Sequence, residues 1–323
     1  MYIDMHCDTL LRGVQEERKE IYKMPEAMLD VSRLKEAQVL CQFFAIFFPP
    51  RKTKYPEGVK PLPEDDELFT KAREIFLSTI QQYPEALGQA TNYQEVIERQ
   101  KEGKVSGILT MEDGRAVQGD MERLHYFYKQ GVRLISLTWN YENCFGSPNS
   151  KDPNVMQKGL TSFGKEAVEV MNHLGILIDV SHLSDGGFYE VAALSKKPFV
   201  ASHSNCRSLC DHTRNLTDEM IHSLAEHGGV AGINFEPTFL QQKGSYSTME
   251  RIAAHLKHFI QIGGEDCVGI GTDFDGICGK FEVGEPSAMT QLFAYLRQNG
   301  FSEELIEKIA YRNVLRVIKE SMK

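Results

Sequence analysis

The sequence contains no apolar run long enough to cross a bilayer. The longest, Phe43 to Pro50, has the length of a strand, whereas a spanning helix needs roughly 20 residues. Residue 2 already belongs to a strand pattern with no positive segment and apolar core before it, so no signal peptide is expected. The C-terminal Lys319 to Lys323 is charged and carries no lipid-anchor tail. Basic patches are also missing. The formal net charge is −9 and the pI about 5.6, and the one dense basic stretch, Arg51 to Lys54, is soon followed by acidic residues. This balance argues against nucleic acid and against an acidic membrane surface as partners. The seven cysteines are odd in number and irregularly spaced, which fits free thiols in a reduced, cytoplasmic chain. Cys206 and Cys210 with His212 lack the second pair that a structural zinc requires. No Gly-x-Gly-x-x-Gly or Gly-Lys-Ser/Thr loop is present, which weakens the case for a nucleotide-binding, doubly wound sheet. With no internal repeat, low-complexity tract or linker, residues 1–323 are expected to form one domain.

What is present is a regular alternation. The chain is 41% hydrophobic and 25% charged, enough to fill a large core. Eight short runs rich in Val, Ile and Phe read as strands: 2–7, 38–46, 105–111, 132–139, 175–181, 198–202, 229–235 and 267–272. Several are apolar throughout, as strands buried on both faces should be. Amphipathic helical patterns separate most of them. One spans Ser162 to Leu174, with Ser162 as its cap and Gly175 as its stop. Ser247 and Glu250 suggest a capping box for another, reaching about Ile262, and Thr217 to His227 forms a third. Alternating strand and helix implies right-handed parallel crossovers, and eight units imply closure into a (β/α)8 barrel of the TIM type. The helical tail from Ser302 to Met322 is expected outside the last turn. Three long connections, roughly Pro49–Asp66, Asn140–Thr161 and Glu236–Tyr246, follow strands on the catalytic face and are candidate pocket walls.

The residues that carry chemistry recur at the C-terminal ends of these strands. His6 and Asp8 alternate on the first, so both point to one face. Glu112 closes the third run, His182 the fifth, His203 the sixth and Asp273 the eighth. Barrel closure would bring all six to one rim. Burying that many titratable groups without a cation is costly. Three imidazoles with two or three carboxylates suit zinc better than calcium or magnesium. Five ligands exceed the need of one catalytic zinc, so a two-metal site with a bridging carboxylate is expected. Such a site activates water and polarises a carbonyl, which makes hydrolysis of an amide or related acyl bond the expected reaction. Asp273 is then left to act as general base and acid. His125, His173, His222, His227, His255 and His258 fall in helical patterns and read as surface or packing residues. Cys7 alternates away from the two ligands that flank it.

His6-x-Asp8, Glu112-Asp-Gly, Ile178-Asp-Val-Ser-His182, Ser202-His203-Ser-Asn and Gly271-Thr-Asp273-Phe-Asp-Gly276 together resemble the renal (membrane) dipeptidase family of metallopeptidases. Arg214-Asn215 and Asn313-Val-Leu-Arg-Val317 match further segments, so the resemblance covers essentially the whole chain. It implies an amidohydrolase-type barrel with two zinc ions, one on His6 and Asp8, the other on His182 and His203, with Glu112 bridging. It also implies hydrolysis of dipeptides, L-D ones included, by a hydroxide between the metals, with Asp273 as proton shuttle. Arg214, with Asn215 beside it, would meet the substrate's C-terminal carboxylate, and a homodimer is implied as well. Many relatives carry a His at the position of Trp139, where it contacts substrate near the scissile carbonyl. An indole donates one hydrogen bond and takes no positive charge. Asn140 or Tyr141 is the alternative donor of that contact, and simple packing is the alternative role of Trp139. Two other functions fit the same residues: an amidohydrolase of N-acyl amino acids or lactones, and a metal-binding barrel without turnover.

Overall fold

Strands that are apolar on both faces need covering on both sides, and here the sheet closes on itself inside a ring of helices. The computed structural model describes residues 1–50 and 61–323. The barrel strands are Ile3–Asp4, Cys41–Phe47, Val105–Glu112, Val132–Ser136, Leu177–Asp179, Val200–Ala201, Val230–Ile233 and Val268–Ile270. Each is parallel to its neighbours, and the last pairs with the first to complete an eight-stranded ring. Closure beside the second strand runs from Cys41 opposite Ser106 to Phe47 opposite Glu112. A short extra strand, Leu87–Gln89, joins the outer edge beside Val105. Its Leu-Gly-Gln carries no β-branched residue, and it was not legible in the sequence.

Side-chain alternation sorts the interior into layers. Phe43, Ile108, Leu134, Leu177, Val200 and Val230 point inward and form an apolar floor. Phe44, Leu109 and Ile135 point outward to the helices. Two residues further along their strands, the inward positions become Thr110, Ser136, Asp179 and Ser202, all buried. The sequence therefore builds a dry base, a buried polar layer above it, and the titratable rim above that.

Several boundaries differ from expectation. The helix Ser162–Leu174 is capped by Thr161, whose hydroxyl accepts from the Gly164 amide at 2.9 Å, because Thr161 is the residue with extended backbone. Gly175 ends it at φ +84°, as expected. Thr248 caps the helix Met249–Gly263, since Ser247 is drawn into a two-residue strand against Phe281. The C-terminal tail is not outside the last turn. Val314, Val317 and Ile318 seal the floor of the barrel, because their apolar face matches the open end left by the strand starts. The first long connection lies mostly at 51–60, outside the described residues, as does Arg51 to Lys54.

Candidate metal centre

The rim residues reach one place because each sits at, or just past, a strand end. Glu112 is the last residue of its strand, and His203 lies two residues beyond Ala201. His182 and Asp273 stand in sharp turns at φ +67° and +63°, left-handed conformations that non-glycine residues adopt at a cost. Asp4 fixes one edge of the rim. It accepts from the Thr272 amide at 2.9 Å and hydroxyl at 2.7 Å, which ties the first strand to the turn that carries Asp273.

Around Glu112 the distances are short. Oε1 lies 3.0 Å from His182 Nε2 and 3.5 Å from His203 Nε2, while Oε2 lies 3.5 Å from His6 Nε2. His6 Nε2 is also 3.7 Å from Asp8 Oδ2 and 3.7 Å from Asp273 Oδ1. Two overlapping groups, His6 with Glu112 and His203, and His6 with Asp8 and Asp273, each offer ligand atoms within 4.8 Å of one another. All six residues are buried. Burial pushes His182 and His203 well below the usual imidazole range. Burial opposes a charge on His6 too, but the Glu112 and Asp8 carboxylates overcome it and raise His6 well above that range. Burial raises Glu112 to about 7 against the opposing pull of His6.

Whether these residues fit a cation is decided by their unmet atoms. His6 Nδ1, His6 Nε2 and Asp8 Oδ1 are buried without a hydrogen-bond partner among the described residues. Leaving such groups unpaired is costly, and a divalent cation satisfies imidazole nitrogens and carboxylate oxygens together. The donor set therefore fits a metal. Cys206 and Cys210, by contrast, donate to the carbonyls of His255 and Thr238.

Above the cluster opens a cavity of about 1050 Å³, lined by Asp8, Glu112, His182, Asp273, Trp139 and Arg214 among others. The second and third long connections supply Asn140, Lys151, Glu236 and Phe239 to its walls. The described ends of the first line a separate recess instead. Trp139 lies half-buried, its ring 5.0 Å from Phe47 and 6.0 Å from His182. Asn140 turns its side-chain oxygen to His182 Nδ1 at 3.0 Å, whereas Tyr141 is largely exposed and does not line the cavity. Arg214 is buried and donates to Ser204 Oγ and the His203 carbonyl, while its Nε has no partner among the described residues. Asn215 turns away from the cavity: its amide donates to the carbonyls of Cys210 and Phe239, which fixes the loop that carries Arg214. Asp275 likewise holds a loop, accepting from Thr9 Oγ1 and the Met28 amide.

The loop that carries Arg214 has a second anchor in His255. The Cys206 amide donates to His255 Nδ1, and His255 Nε2 donates to the Leu240 carbonyl. Burial lowers His255 to about 4. The unfolded chain takes up a proton near pH 6.5 but the folded one only near 4, so this stability is present above pH 6.5 and lost as pH falls to 4. A shift of that size is worth about 3 kcal/mol. Chemical unfolding between pH 7 and 4 should show that loss in the native protein and much less of it in His255→Gln.

Four contributors were missed in the sequence. Asn234 donates to Asp273 Oδ2 at 2.8 Å, and only its place at a strand end hinted at this. Gly276 approaches so closely that a Cβ would lie 2.2 Å from Asp8 Oδ2 and 2.4 Å from Asp273 Oδ1. Gly276→Ala is therefore expected to displace both carboxylates and to lower kcat about 100-fold in metal-saturated protein, with little change in Tm. Asp179 and Ser202 stand in the recognised motifs, yet no role was assigned to them.

The profile of the family described as membrane dipeptidase (peptidase family M19) matches residues 1–323. The dipeptidase verJ of Clonostachys rogersoniana is 31% identical over 298 residues, covering 90% of this chain and 75% of that protein. A solved metallopeptidase from Rhodobacter sphaeroides, liganded with a phosphinate mimic of the dipeptide L-Ala-D-Ala, is 30% identical with a TM-score of 0.87, over 99% of each chain. The probable dipeptidase PvdM from Pseudomonas aeruginosa is similar in fold, with a TM-score of 0.90 at 22% identity over 99% of this chain and 95% of that one.

Proposed function

This chain belongs to the membrane dipeptidase family, and from that premise we propose that it is a zinc-dependent dipeptidase using two cations. His6 and Asp8 would hold one, His182 and His203 the other, with Glu112 shared between them. Bound there, the cations supply an activated water of pKa about 7 and polarise the scissile carbonyl. The chain's own residues do the rest. Asp273, held by Asn234 on one oxygen, takes the proton of the attacking water and delivers it to the leaving amine. Arg214 turns an unpartnered Nε–H toward the substrate's C-terminal carboxylate. Phe239, 5.6 Å from that guanidinium, keeps it from swinging away. Trp139 supplies an apolar wall near the reacting bond rather than a charge. Fixed separation between Arg214 and the metal ligands limits the substrate to short peptides.

The observation that carries this reading is the pairing of a buried donor set with a buried, half-satisfied arginine across one cavity. A D-residue at the C-terminal position is part of the proposal, supported by the dipeptide mimic in the similar Rhodobacter sphaeroides structure. A cytoplasmic location is proposed from seven unpaired cysteines, and none of the described helices is long and apolar enough to cross a membrane. The test is a panel of L-L and L-D dipeptides, N-acyl amino acids and lactones with zinc-loaded protein. Dipeptides should be cleaved fastest, activity should vanish with a chelator, and zinc should restore it. Faster turnover of N-acyl amino acids or lactones than of any dipeptide would overturn the substrate assignment.

A further inference from the structure

Beneath the rim lies a buried chain of hydrogen bonds that the reaction itself does not use. Asp179 is fully buried at the end of its strand. Its Oδ1 accepts the Ser202 amide at 2.8 Å and the Ser181 amide at 3.0 Å. Its Oδ2 accepts the Ser202 hydroxyl at 2.6 Å and the Ser136 hydroxyl. Ser202 Oγ is in turn 2.7 Å from His203 Nδ1. A serine has one proton to give and a carboxylate has none. Once Ser202 donates to Asp179, it meets His203 only as an acceptor. His203 must then carry its proton on Nδ1, which leaves the Nε2 lone pair facing Glu112 and His182 Nε2, the latter 3.0 Å away. Among the described residues His6 has no such device, because none of them partners its Nδ1.

We propose that Asp179 is a positioning residue: acting through Ser202, it selects the His203 tautomer and so sets the affinity of the His182–His203 cation position. The proposal rests on the two-cation reading above and assigns it an internal control. Partners of this kind change metal affinity 10–100-fold. The fold explains why Asp179 can do this. Alternation from Leu177 puts it in the polar layer two residues above the apolar floor, out of reach of water and substrate. Two backbone amides and two hydroxyls leave its carboxylate no room to turn.

The informative variant is Asp179→Asn. An amide at this position keeps an oxygen for the two backbone N–H groups but presents NH2 to Ser202. The hydroxyl then turns its proton to His203 Nδ1, and the imidazole proton moves to Nε2, the wrong nitrogen for a cation. Ser202→Ala removes the relay without reversing it. The measurement is stepwise removal of zinc from loaded protein by chelators of graded affinity, with Tm and circular dichroism as folding controls. Wild type should hold two equivalents. Asp179→Asn should hold one of them 10–100-fold more weakly and the other unchanged, with Ser202→Ala between. Long-range 1H–15N spectra of wild type, assigned with His203→Gln, should show His203 protonated on Nδ1; this readout stands even if Asp179→Asn fails to fold. Wild-type zinc retention in both variants, or a wild-type His203 protonated on Nε2, would overturn the relay. A wild type that holds no zinc at all would instead overturn the two-cation reading, and the relay's consequence with it.

Discussion

Replacing Asp273 by Asn is expected to lower kcat by about 10²–10⁴ while zinc content and Tm stay at wild-type values. Asn keeps the shape of the side chain and its contact with Asn234 but cannot carry a proton between water and leaving amine. The surroundings of Asp273 favour its protonated form. Burial, opposed by His6 and reinforced by Asp8 and Glu112, pushes its pKa up to about 8. Its Oδ1 also lies 3.7 Å from His6 Nε2, close to the ligand atoms. Metal analysis of Asp273→Asn therefore separates two roles. Loss of one zinc equivalent would make Asp273 a ligand and sink its assignment as proton carrier, as would turnover at the wild-type rate.

Arg214→Ala is expected to reduce kcat/KM at least about 30-fold for dipeptides with a free C-terminus, mostly through KM. C-terminally amidated substrates, poor from the start, should hardly change. Burial lowers the Arg214 pKa to about 10, so the guanidinium keeps its charge at neutral pH. Two of its nitrogens are tied to Ser204 Oγ and the His203 carbonyl, which aims the planar group, and Nε is left over. Arg214→Lys would keep a positive charge but lose the fork geometry and should recover only part of the loss. Equal damage to free and amidated substrates would contradict the carboxylate contact.

The barrel and its rim were legible because they depend on local pattern. Eight apolar runs with intervening amphipathic stretches leave few alternatives to a closed parallel sheet; His6 stands at the end of the first run, and Glu112, His182, His203 and Asp273 each follow a later one. What was illegible depends on long-range partners. Nothing local to Asn215 says that its amide is spent on the carbonyls of Cys210 and Phe239, and nothing local to Asn140 says that it meets His182 Nδ1. The tail was misplaced because amphipathicity reveals an apolar face but not the surface it covers; Val314 and Val317 found the barrel floor. The caps at Thr161 and Thr248 were missed by one residue, since adjacent hydroxyl residues compete and backbone geometry chooses between them.

The most direct measurement is anomalous diffraction at the zinc edge from crystals of the zinc-loaded protein. Two peaks are predicted, one between His6 and Asp8 and one between His182 and His203, with Glu112 touching both. A single peak, or zinc bound away from these side chains, would contradict the account.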